Sequence, residues 1–561
     1  MRKLGLLFLF LLSFPLFGAV RWEDLSPQER LGQTLVIFVD VDSAEMVRPL
    51  IEEGKLGGVL VQWGNYSLSE TKKLITKLQS WAEKSPHKIP LLISIDYEGG
   101  TVYTPITLGF DYLPTNMMLS AAHDEEGAAA IAYLAGQELR RTGVHVNFSP
   151  VLDVNSNPDN PIIGVRSFGS DPDSVTKMGI SLMNGFKAAG IVSIVKHFPG
   201  HGDTATDSHY AVPVVKADRA QLAKIHLKPF QEAVRHQVEG VMTGHVMYPA
   251  LDNKTIATFS KPILQDLLRG EMGFNGLIVT DSLDMKGATS YCTIAGCAVR
   301  ALAVGTDMVL LGRYIRPVST YNQIWQKVQE EKLQPRIDEA AKRVFRLKER
   351  LGLLEQKPSV PAPSELAYQA ELAKLSDEAV TLVRDREHKI PFHPDGTRNA
   401  KPTVCAVFFA PARFADQLMG LSRPFLEHGW TVRSYNAALT PKKKDSQRAA
   451  QCASGADLLI VTSLQWADKT NINQKNAITG LLRENENVVF ISTMSPYDIP
   501  QYPQAGTVLA TYGLNKYVLQ TAARIILGDL KAHGILPVIL PSSSEDVQPQ
   551  THISQVKQKS Q

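Results

Sequence analysis

The chain has 561 residues, 44% of them hydrophobic and 20% charged, a globular composition long enough for about two to four domains around large cores. The formal charge of +3 at pH 7 is small for this length, which argues against nucleic acid or a strongly acidic partner. The four cysteines, Cys292, Cys297, Cys405 and Cys452, have neither the number nor the spacing of a metal knuckle.

At the N-terminus, Arg2 and Lys3 precede an apolar stretch from Leu4 to Phe17, then small Gly18 and Ala19, then polar Arg21 and Glu23. That is the pattern of a secretory signal peptide over residues 1–19, its apolar stretch shorter than the roughly 20 residues of a spanning helix, with an uncleaved membrane anchor as the alternative. No cysteine follows it for lipid attachment, and no later apolar segment reaches spanning length. The expectation is an exported protein, periplasmic or secreted, with no membrane span after signal removal. Export permits a Cys292/Cys297 bridge, but on one continuous helix those side chains would diverge, so free thiols are expected.

From residue 20 onward, short β-rich apolar runs alternate with longer stretches of helical pattern, which predicts parallel α/β units. Strands are read near Leu35 to Val39, Gly58 to Val61, Leu91 to Ile95, Val144 to Phe148, Val192 to Val195, Gly240 to Thr243, Leu277 to Thr280 and Met308 to Leu311. Eight such units predict an N-terminal (β/α)8 TIM-type barrel over residues 20–355. Asp96, Asn147, Lys196, His245 and Asp281 all fall where an apolar run stops. In a barrel the strand C-termini share one face, so these residues would converge on a single pocket.

The run from Lys357 to Pro363 is rich in proline and reads as a linker, placed at 356–364. A smaller α/β domain follows over residues 365–541, a doubly wound sheet with strands near Val404 to Phe409, Leu458 to Val461, Val488 to Ser492 and Val508 to Ala510. The polar tail at 542–561 has the composition of a disordered segment.

The segment Lys196-His-Phe-Pro-Gly-His-Gly-Asp-Thr-Ala-Thr-Asp-Ser-His209 follows a buried-looking strand and is a loop by its prolines and glycines. His197, His201, Asp203, Asp207 and His209 are all possible metal ligands, but a metal would leave Lys196 and Asp281 without roles, so neither metal nor other cofactor is expected. Asp207 lies two residues before His209, close enough for the carboxylate to orient the imidazole and stabilise its charged form; a chance exposed histidine is the alternative. An imidazole with a pKa near neutrality can protonate a leaving oxygen and later deprotonate water. Asp281 ends a strand and is followed by Ser-Leu-Asp284. A carboxylate held on a rigid strand tip suits attack on an anomeric carbon, with a helix N-cap role and the competitor Asp284 as alternatives.

Lys196-His-Phe-Pro-Gly-His-Gly-Asp203, Asp207-Ser-His209 and Thr280-Asp-Ser-Leu-Asp-Met285, with Ile95-Asp-Tyr-Glu-Gly-Gly100 and Ile163-Gly-Val-Arg-Ser-Phe168, resemble glycoside hydrolase family 3, in its N-acetyl-β-glucosaminidase branch. These motifs span most of the barrel. The resemblance implies Asp281 as nucleophile, His209 as proton donor and Asp207 as its partner, while Asp96, Arg166, Lys196 and His197 would hold the sugar. One departure is Thr101-Val-Tyr-Thr104, where the family usually carries arginines. The second domain resembles the family's C-terminal α/β sandwich and shows no catalytic constellation of its own.

The implied activity is that of a retaining exo-β-N-acetylglucosaminidase that releases terminal GlcNAc from peptidoglycan fragments or muropeptides. Two alternatives stand beside it: a β-N-acetylglucosaminide phosphorylase, because a histidine acid does not repel phosphate, and a wall-sugar-binding protein that has lost catalysis. Oligomeric state is not legible.

Overall fold

The structure, a computed structural model, describes residues 20–61, 64, 66–100, 109–354, 364–394, 401–465 and 471–541. The signal peptide at 1–19, Thr101 to Thr104, all of the linker but Ser364, and the tail at 542–561 lie outside the described residues.

Eight parallel strands form the first domain: β1 (Leu35–Val39), β2 (Gly58–Val61), β3 (Leu92–Ile95), β4 (Val146–Asn147), β5 (Val192–Phe198), β6 (Gly240–Thr243), β7 (Leu277–Thr280) and β8 (Val309–Leu310). Neighbours pair in chain order, β8 pairs with β1, and a parallel bridge from Val279 to Met308 closes the ring. Closure follows from the period-two alternation of side chains along each strand. Val36, Leu60, Leu92, Val146, Val192, Ile194, Met242, Leu277, Val279 and Leu310 form one apolar cluster inside the barrel. Their neighbours Leu35, Ile37, Val59, Ile93 and Val309 face outward into the core beneath the helices.

The last strand is also fastened electrostatically. Asp307, fully buried just before β8, is met by Arg269 at 2.6 Å, Arg336 at 2.9 Å and Arg343 at 3.1 Å. A buried carboxylate of this kind is tolerated because its charge is paired.

The second domain is a six-stranded sheet of β9 (Thr381–Asp385), β10 (Thr403–Phe409), β11 (Thr431–Ala437), β12 (Leu458–Ser463), β13 (Val488–Ser492) and β14 (Thr507–Ala510), in the order β9-β14-β13-β12-β10-β11. All pairs are parallel except β9 with β14. Helices Ala415–Glu427, Lys443–Ala453 and Ile472–Leu481 pack against its strands. Both edge strands escaped the sequence reading. β11 is mostly solvent-facing and polar, and β9 is short and ends in Arg-Asp, so neither presents the apolar run of a central strand.

The domains share a core. Met117, Met118 and Ala121 of helix Asn116–Ala122, together with Val165, belong to the apolar cluster of the second domain. The segment after the last helix straps back across this seam, with Ile535 N donating to Ala121 O (3.0 Å) and Ser170 N to Pro537 O (3.1 Å).

The free-thiol expectation is corrected: Cys292 pairs with Cys297 and Cys405 with Cys452. The helix starts at Ile294, capped by Thr293, so Cys292 lies ahead of it and the two cysteines do not share one continuous helix. The second bridge ties β10, the strand beside edge strand β11, to helix Lys443–Ala453. Its loop, with a sequence separation of 47, corresponds to about 4 kcal/mol of chain-entropy stabilisation. Accordingly, alkylation of unfolded but unreduced protein should label none of the four cysteines. Cys452→Ser should lower the unfolding free energy by about 2–4 kcal/mol. Labelled Cys405 in the wild-type protein would contradict the pairing.

Candidate active site

At the C-terminal mouth of the barrel lies a cavity of about 270 Å³ whose wall includes Asp96, Glu98, Arg166, Lys196, His197, His209 and Asp281. Six of the seven residues singled out from sequence therefore meet in one place; the seventh, Asp207, stands behind His209. A larger cavity of about 700 Å³ opens at the opposite end, around Glu239, Arg343, Arg346 and Arg350. Barrel chemistry belongs at the strand C-termini, and the titratable cluster is there.

The cations come from two elements. Lys196 and His197 are consecutive on β5 and would normally face opposite ways, but the strand's register shifts between Val195 and Phe198. Such a bulge re-aims side chains, and here both line the cavity. Arg166 ends the short turn Gly164–Arg166 after β4.

Carboxylates hold these cations. Arg166 grips Glu98 with two hydrogen bonds, 2.7 and 2.9 Å, and Lys196 lies 2.6 Å from Glu98 and 2.8 Å from Asp96. Burial alone would raise the Glu98 carboxyl, but Arg166 and Lys196 outweigh it and hold it at about 2. Burial works the other way on Lys196, yet Asp96 and Glu98 raise its pKa. Asp96, pushed up chiefly by burial and by the neighbouring carboxylates, keeps its pKa above the ordinary value despite Lys196.

Asp153 anchors the histidine segment. One oxygen lies 2.7 Å from His197 Nδ1, and the other accepts the backbone N–H of His201 at 2.6 Å. Burial raises the Asp153 carboxyl, but His197 and its hydrogen bond bring it to about 2. A carboxylate only accepts, so His197 carries its proton on Nδ1 and turns Nε2 inward, 3.4 Å from an Arg166 nitrogen and 4.0 Å from Asp281.

The same logic orders His209. Asp207 Oδ1 accepts from its backbone N–H (2.8 Å) and sits 2.7 Å from Nδ1, which leaves Nε2 for the cavity. The hydrogen bond to Asp207 raises the imidazole above 6.5 against the opposing effect of burial, and Asp281 adds to the rise.

Asp281 follows β7 directly. Its Oδ1 accepts the Ser282 N–H at 2.7 Å, so Oδ2 is the oxygen left toward His197. Burial raises its pKa, but His197, His245 and the Ser282 N–H carry it below the ordinary value, so the group is ionised near neutrality. Asp284 is otherwise engaged: Ser282 Oγ donates to one oxygen (2.6 Å) and the Arg313 N–H to the other (2.8 Å). Asn147 and His245, also read at strand ends, brace loops. Asn147 exchanges hydrogen bonds with the Tyr97 backbone, and His245 Nε2 lies 2.9 Å from the Ser282 carbonyl oxygen.

The five possible metal ligands of the loop disperse. His201 bonds Thr204 and Ser208, Asp203 takes the Ser156 hydroxyl, and among the described residues no three His, Cys, Asp or Glu side chains form a group fit for a metal ion. Glu98 and Asp153 are the site carboxylates that the sequence reading missed. Their signal was indirect: two cations placed at a buried barrel mouth require buried anions.

Residues 28–347 match the glycosyl hydrolase family 3 N terminal domain. The chain is 31% identical to the beta-hexosaminidase A of Pseudoalteromonas piscicida over 87% of its own length and 90% of that relative. It is 26% identical to the beta-N-acetylglucosaminidase/beta-glucosidase of Cellulomonas fimi, over 92% and 94%. The solved family 3 beta-N-acetylglucosaminidase of Paenibacillus sp. str. FPU-7 superposes with a TM-score of 0.83 at 30% identity, covering 92% of this chain and all of that one.

Two measurements check this electrostatic arrangement. His209 should titrate above 6.5 by NMR, and Asp207→Asn, which removes the partner's charge, should lower that value; an unchanged titration would contradict the pairing. Glu98→Gln removes the counter-charge that Arg166 and Lys196 share and should cost about 3–5 kcal/mol in urea unfolding.

Proposed function

The chain belongs to glycosyl hydrolase family 3, and from that premise we propose an exported, retaining exo-β-N-acetylglucosaminidase that takes terminal GlcNAc from peptidoglycan fragments or muropeptides. The observation that carries the reading is that Asp281 and His209 line one cavity, with the Asp281 pKa lowered and the His209 pKa raised from their ordinary values.

In the first step the free Oδ2 of Asp281 attacks the anomeric carbon. The glycosidic C–O bond breaks and the leaving oxygen takes the proton from His209 Nε2. Water then fills the place of the departed group, His209 Nε2 takes its proton, and its oxygen displaces Asp281. Two inversions return the original configuration. Arg166, Lys196 and Asp96 would hold the hydroxyls and acetamido group by charge-assisted hydrogen bonds that strengthen as the sugar distorts.

Several features support the finer points. A cavity of about 270 Å³ suits one sugar residue, hence exo action. The cavity lining includes Tyr314, 85% exposed, where the rest of the substrate would emerge. Two disulfides suit an oxidising compartment, in line with the N-terminal signal pattern. The names of the relatives above support the acetamido sugar, and one of them also names β-glucosidase.

With 4-nitrophenyl N-acetyl-β-D-glucosaminide, Asp281→Ala should lose essentially all turnover. His209→Ala should lose about 10²–10⁴-fold on a natural disaccharide and far less on the nitrophenyl glycoside, whose leaving group needs no proton. The basic limb of the pH profile should follow the raised His209 pKa, with activity falling as the pH rises through it, and Asp207→Asn should shift that limb to lower pH. The acid limb should lie below the ordinary carboxylate range, because the Asp281 pKa is depressed. Preference for the glucoside, sugar 1-phosphate formed in phosphate buffer, or binding without turnover would each overturn the reading.

A further inference from the structure

Tyr497 belongs to the second domain, in the turn Pro496–Gln501 that follows β13. The turn is fixed from within its own domain: the buried Asp498 carboxyl accepts the hydroxyls of Ser463 (2.5 Å) and Ser492 (2.7 Å) at the ends of β12 and β13. Tyr497 points instead into the barrel. Its Oη accepts from Asn155 Nδ2 at 2.9 Å and lies 3.4 Å from the Asn155 carbonyl oxygen, to which it donates. Both side chains are buried, Tyr497 at 8% exposure and Asn155 at 1%.

Asn155 passes the contact on. Its Oδ1 accepts the Gly164 N–H at 3.1 Å, the first residue of the turn that ends in Arg166. Val165, between them, is buried in the apolar cluster of the second domain. The Arg166 guanidinium stands in the cavity wall, whereas Tyr497 does not line it. An anchor in one domain therefore reaches a cation of the other through two hydrogen bonds and one backbone turn.

We propose that Tyr497 is a positioning residue supplied by the second domain: through Asn155 and Gly164 it sets where Arg166 stands, and so tunes sugar affinity without touching the sugar. The inference rests on Arg166 holding substrate. Asp281 lies on a separate strand, outside this path. Without the phenol hydroxyl, the Asn155 carbonyl and one amide hydrogen lose a buried partner, and the resulting loosening of the turn corresponds to about ten-fold in an equilibrium.

The test compares full-length wild type, Tyr497→Phe, Asn155→Ala, Arg166→Ala and the Tyr497→Phe/Arg166→Ala double variant, with KM and kcat measured on the best 4-nitrophenyl glycoside and melting followed in parallel. Tyr497→Phe should raise KM about ten-fold, change kcat far less, and add nothing to Arg166→Ala. Asn155→Ala should reproduce the KM rise, and it carries the test if Tyr497→Phe does not fold. An unchanged KM, an equal loss in kcat, or an effect that persists in the Arg166→Ala background would overturn the proposal. The wild-type substrate preference reports separately on the proposed function: if the glucoside is the better substrate, the same comparison is made on it.

Discussion

The mouth of the barrel is organised by one constraint: two cations, Arg166 and Lys196, stand in a largely buried wall and must be neutralised there. Glu98 meets both, and Asp96 takes the remaining reach of Lys196. Removing one partner of such a cluster costs about 3–5 kcal/mol, so the side chains cannot wander between alternative pairings. The donors and acceptors of the cavity wall are thereby held in one arrangement. Beside this cluster the Asp281 carboxyl is brought below its ordinary value, against burial, chiefly by His197 and His245, and the His209 imidazole is raised chiefly by its hydrogen bond to Asp207.

The second domain takes part through apolar contact and a small number of polar links. Val165, the residue just before Arg166, is buried in its core, and Tyr497 meets the Asn155 loop from the same side. The cavity wall is thus braced from the second domain, although every residue that lines it, like Asp207 behind His209, comes from the barrel.

Much of this was legible in the sequence because two periodicities are strong. Buried parallel strands read as apolar runs, and the polar residues that end them mark the barrel mouth; β1, β2, β6 and β7 fall where the runs predict. Asp281 and the Asp207-x-His209 spacing were visible for the same reason, since each is tied to a strand end or to its own neighbour. What escaped depends on partners distant in the chain. Glu98 and Asp153 gain their importance from Arg166, Lys196 and His197, and no local pattern announces an ion pair formed across the barrel. The edge strands β9 and β11 lack the apolar signature because one side faces solvent or a single neighbour. The Cys405/Cys452 bridge joins a strand to a helix at a sequence separation of 47, a proximity that only the folded sheet creates.

The central claim is that Asp281 forms a covalent bond to the sugar while His209 handles the proton. A fluorinated N-acetyl-β-glucosaminyl fluoride, which makes the ester faster than it is hydrolysed, tests this directly by intact-mass and peptide mass spectrometry. A single sugar adduct on the peptide that contains Asp281, absent in Asp281→Ala, is the predicted result. An adduct on Asp284, or continued turnover of the wild-type enzyme with no adduct on Asp281, would contradict the account.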